Sequence, residues 1–102
     1  MTDQELMKLA ASAAQFEIVD SIDPGWFMCN GRQWNPLIDD GDALRMAVRL
    51  GINVYLADPG YVTAGRAGIQ GQREALGDDP NHATRRAIVR AAASLTDQDR
   101  RL

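Results

Sequence analysis

Side chains that carry chemistry are scarce in this chain. Its 102 residues include one cysteine (Cys29), one histidine (His82) and one lysine (Lys8). A single cysteine excludes a disulfide within the chain. One histidine and one cysteine fall short of the four ligands of a structural zinc site, so no metal and no cofactor are expected. No apolar run approaches the about 18–20 residues that cross a bilayer, so no membrane role is expected. The opening Met1-Thr2-Asp3-Gln4-Glu5 is acidic and polar, and does not read as a secretory signal. Positive charge is also short. The formal net charge is −3, which argues against a general nucleic-acid coat.

What remains is an ordinary globular composition, 45% hydrophobic and 25% charged. The length suits one domain, which we place at residues 1–95, followed by a polar, frayed tail over 96–102. Thr2 and Glu5 have the spacing of a capping box, and Leu6, Leu9, Ala10 and Ala13 recur at helical intervals. This apolar face is small, so the helix is expected to lean on a sheet. Residues 16–22 read as extended, and Asp23-Pro24-Gly25 as a turn. Asn30-Gly31 predicts a type I′ hairpin between Trp26-Phe27-Met28-Cys29 and Arg32-Gln33-Trp34. Asp39 caps a second helix that ends at Gly51, with Leu44, Ala47 and Val48 expected inside.

Ile52, Val54 and Leu56 alternate onto one strand face, and Asp58-Pro59-Gly60 turns the chain back into Tyr61-Val62-Thr63-Ala64. Ile69 to Arg73 reads as an edge strand. Asp79-Pro80 opens a last helix running through Leu95, with Ala83, Ala87, Ile88, Ala91 and Leu95 on one face. Val89 and Ala93 add a second apolar strip, which leaves surplus surface for a homodimer or higher oligomer. Together these elements predict an α+β fold, three helices packed on one antiparallel sheet of about four to five strands.

Three clusters are candidates for function. Cys29 with His82 is a conceivable nucleophile and base. However, Cys29 sits in an apolar strand and His82 in the first turn of a helix, where the dipole disfavours imidazolium. The chain is therefore read as a non-enzyme, with no catalytic residue. Asp39, Asp40 and Asp42 lack the alternating acids and bidentate glutamate of a calcium loop, and capping explains them better. The turn from Gly65 to Gly71 could cradle a phosphorylated small ligand with backbone N–H groups, flanked by arginines. Its candidate residues are Arg66, Gly68, Gly71 and Arg73. Arg85, Arg86 and Arg90 crowd one side of the last helix, as a solvated face or as a surface for an acidic partner.

Two stretches carry a resemblance. One is Trp34-Asn35-Pro36-Leu37 with Asp40-Gly41-Asp42-Ala43-Leu44-Arg45-Met46-Ala47-Val48-Arg49-Leu50. The other is Ala83-Thr84-Arg85-Arg86-Ala87-Ile88-Val89-Arg90-Ala91-Ala92. In them the chain resembles the small bacteriophage and prophage proteins of the phage ABA sandwich type. The resemblance implies a phage-encoded accessory protein with helices on a central antiparallel sheet. It implies no catalytic residues. On this reading the protein acts in the host bacterial cytoplasm by binding a host protein, such as a defence component. The alternative is an oligomeric sponge for a nucleotide-like signal.

Overall fold

The computed structural model describes residues 1–56 and 59–100, with backbone alone over 97–100. Three helices and two antiparallel sheets alternate along the chain: α1 (Asp3–Ala14), β1 (Ile18–Asp20), β2 (Phe27–Cys29), β3 (Arg32–Trp34), α2 (Asp40–Leu50), β4 (Asn53–Tyr55), β5 (Tyr61–Gly65), β6 (Gln72–Ala75) and α3 (Pro80–Arg100). The α+β class holds, but the single sheet of four to five strands does not. The strands form two separate three-stranded sheets, ordered β1-β2-β3 and β4-β5-β6.

The break between the sheets lies at Asn35-Pro36. Proline has no N–H to continue a ladder. The Asn35 side chain closes the corner by donating to Gly25 O at 2.7 Å and accepting from Leu37 N at 2.8 Å. The chain is thereby committed to α2 before it can form a further strand.

Local chemistry at the turns and caps follows the sequence. Thr2 Oγ1 accepts from Glu5 N at 3.1 Å, and Asp39 accepts from Asp42 N at 2.8 Å. Asn30 and Gly31 both have positive φ, 52° and 78°, as the type I′ hairpin requires. Cys29 then pairs with Arg32, and Phe27 with Trp34. Trp26 N closes the Asp23-Pro24-Gly25 turn on Asp23 O at 3.2 Å. Of the second Asp-Pro-Gly turn, Asp58 lies outside the described residues, while Gly60 has the expected φ of 82°. The sixth strand falls later than Ile69–Arg73, at Gln72–Ala75.

Packing departs further from the expected pattern. Helix α1 buries Met7, Ala10, Ala11 and Ala14, and leaves Leu6 and Leu9 half-buried. It packs mainly against α3 rather than on a sheet. Thr96 Oγ1 donates to Leu9 O at 2.7 Å, so Thr96 is buried and belongs to the fold, and α3 runs on to Arg100 instead of ending at Leu95. Residues 101 and 102 of the expected tail lie outside the described residues.

Helix α2 is turned away from its expected face. Ala43, Met46 and Ala47 are buried with Asp42, whereas Leu44 is 62% and Val48 74% exposed. On α3, Val89 and Ala93 are as buried as Ala87 and Ala91. Both strips of α3 are thus interior, because α1, α2, β5 and β6 surround it. The surplus strip on which self-association was expected does not exist.

Candidate functional site

The arginines singled out in the sequence are drawn into the fold. Arg85 donates through Nε to Leu37 O at 2.9 Å and pairs with Asp40 at 2.6 Å. Arg86 meets Asp3 at 3.3 Å and Glu74 at 3.9 Å. Arg90 pairs with Glu74 and donates to Arg73 O. Together these three side chains tie α3 to α1, α2 and β6, and each already has an acid beside it. Arg66 donates to Leu50 O at 2.7 Å and so covers a terminal carbonyl of α2. Arg73 lies over the Tyr61 ring, 3.9 Å from its centroid. The structure therefore directs Arg66 and Arg73 to different neighbours.

The glycines of the same turn have packing reasons. A Cβ on Gly71 would come 2.9 Å from Thr63 Cγ2, and one on Gly65 would come 3.1 Å from the Gly71 Cα. Gly68 has a φ of 90°, a conformation that side chains resist. Close approach at Gly65 and Gly71 and the positive φ of Gly68 account for three glycines in seven residues.

Cys29 is half-buried and lines a cavity of about 300 Å³ with Trp34, Arg32 and Arg45. His82 is exposed in the first turn of α3, and does not line that cavity. The aspartates of α2 are each occupied. Asp39 caps, Asp40 pairs with Arg85, and Asp42 is 2% exposed, accepting from Asn35 N at 2.9 Å and from Arg45 at 2.7 Å. Among the described residues no group of three or more His, Cys, Asp or Glu side chains is placed to hold a metal.

The most site-like surface was singled out by sequence only at Arg73, and there as part of a different site. It is the outer face of the sheet β4-β5-β6. Val62 and Ala64 point inward, where both are fully buried. Alternation then places Tyr61 and Thr63 on the opposite face. Register brings Tyr55 and Arg73 beside Thr63. Tyr55 is 57% and Tyr61 41% exposed, and Arg73 is exposed with its guanidinium held against Tyr61. The parity of Tyr55 and Tyr61 within their strands was a legible signal. That no helix among the described residues would cover this face was not.

No family model, no curated protein and no solved structure matches the chain.

Proposed function

We propose that the protein is a non-catalytic binder, a phage-encoded accessory factor that occupies a protein of the infected bacterium. The observation that carries this reading is the exposure of Tyr55, Tyr61 and Arg73 on the outer face of the second sheet. Tyrosine and arginine are the side chains that most often dominate protein interfaces. They offer large contact area with a polar tip at small entropic cost. Stacking on Tyr61 pre-orders Arg73, whose guanidinium edge is suited to meet a carboxylate. The partner such a face fits presents an acidic group beside an apolar surface. Occlusion of this kind needs a surface and no reaction. The phage origin rests on the resemblance of residues 34–50 and 83–92.

The test is affinity capture from bacterial lysate with the wild-type chain and with Tyr61→Ala, Arg73→Ala and the double variant. Any protein that the wild-type chain captures is then purified and titrated against all four chains by calorimetry. Each single change should weaken binding about ten-fold or more, at little cost to the fold. A purified partner that binds all four chains equally would sink this reading of the face. Heat with a cyclic or linear nucleotide, and none with any protein, would favour the sponge alternative instead.

A further inference from the structure

The second sheet has two edges, and they differ. The β6 edge carries Arg73 and Glu74, and Arg90 donates to Arg73 O. Charged side chains and a covering guanidinium are the usual protection of a strand edge. The β4 edge has neither. From Gly51 to Leu56 the chain contains no charged residue and no proline. Among the described residues β4 pairs with β5 alone, so one row of its N–H and C=O groups faces outward.

Beside this edge lies the outward face of α2. Val54 pairs with the buried Ala64, so it and Leu56 lean toward the helices. Leu44, Val54 and Leu56 line one groove of about 370 Å³, with Ala43 and the buried Ile88 also in its wall. Leu44 is 62%, Val48 74% and Leu56 61% exposed. The rim is closed by Asp40 and Arg85, which neutralise each other at 2.6 Å.

We propose that this surface is where a second copy of the chain binds. Two β4 strands pair antiparallel about a two-fold axis at Val54, and the two α2 helices close over them through Leu44 and Val48. The result is one continuous six-stranded sheet, three strands from each copy. Three arguments select a second copy over another occupant. The first is area. Leu44, Val48, Val54 and Leu56 expose on the order of 400 Å², and the strand backbone adds more, against about 800 Å² per partner in a standard interface. The second is charge. Each chain carries −3, and an uncharged patch is where two such molecules can meet, as the more apolar interfaces of homodimers do. The third is form. A three-residue strand offers too few hydrogen bonds to hold a lone peptide, so the occupant must bring an apolar helix beside its strand. A two-fold axis supplies that pair from the same patch. This inference does not rest on the proposed host partner.

Sedimentation of the full chain across the micromolar range tests it. The wild type should be dimeric. Leu44→Lys with Val48→Lys, both at exposed positions, should raise the dissociation constant about a hundred-fold or more while circular dichroism stays unchanged. A second measurement does not depend on how that variant folds. Facing residues of an antiparallel pair have Cβ atoms about 4.5–5.5 Å apart. Val54→Cys in a Cys29→Ser background should therefore cross-link to itself on mild oxidation, whereas Lys8→Cys in the same background should not. A wild type that is monomeric throughout overturns the proposal. So does a dimer that survives both lysines, or one that fails to cross-link at position 54.

Discussion

Asp42 decides how α2 is turned, and it does so from inside the protein. Its carboxylate receives the Asn35 N–H on one oxygen and Arg45 on the other, with Arg32 at 4.0 Å. One buried acid thus joins the corner after β3 to the start of the helix. Asp42→Ala leaves the Asn35 N–H without its partner in a buried site, and should cost roughly 2–3 kcal/mol in a denaturant melt. Arg45 is more than half exposed, but Arg45→Ala leaves the buried carboxylate with the Asn35 N–H and the more distant Arg32, so it should cost about 1–2 kcal/mol, less than Asp42→Ala. Equal losses from the two changes would mean that the ion pair, not the backbone bond, holds this corner.

The rotation of α2 is also the clearest difference between sequence and structure at the scale of elements. Leu44 and Val48 lie four apart and look like a core stripe, but the buried stripe is Ala43, Met46 and Ala47. Met46→Ala should therefore cost about 2–5 kcal/mol, and Leu44→Ala should stay within about 0.5 kcal/mol at concentrations where the chain is monomeric. The reverse order in urea melts would restore the stripe expected from periodicity. Short-range chemistry was legible. Thr2, Asn30-Gly31, Asp39, Gly51 and Asp79 act on atoms within a few residues, so spacing alone locates them. Long-range pairing was not. Nothing local says that Asn35-Pro36 divides two sheets, or that Arg66 reaches back to Leu50 O. The candidate face was half legible, since strand parity marks Tyr55 and Tyr61 as outward but does not say what covers them.

Across the whole molecule, α3 is the shared wall. Helices α1 and α2 and strands β5 and β6 all pack on it, much of the contact through alanine. Ala83, Ala87, Ala91 and Ala92 are buried, and α1 answers with Ala10, Ala11 and Ala14. Small side chains let helices approach closely and leave no room for larger ones. Ala87→Leu should thus cost about 1–3 kcal/mol or more through overpacking, seen as a fall of roughly 4–8 °C in Tm for each kcal/mol. An unchanged Tm would show slack between the helices. This arrangement also has a temporal side. The wall is translated after everything that leans on it. At about 5–20 residues per second, the stretch from Pro80 to Thr96 takes a ribosome roughly one to three seconds. Until that stretch clears the exit tunnel, α1, α2 and the inner face of the second sheet lack the helix on which they pack. A nascent chain passes this interval with local turns and caps in place and its interior still open to solvent.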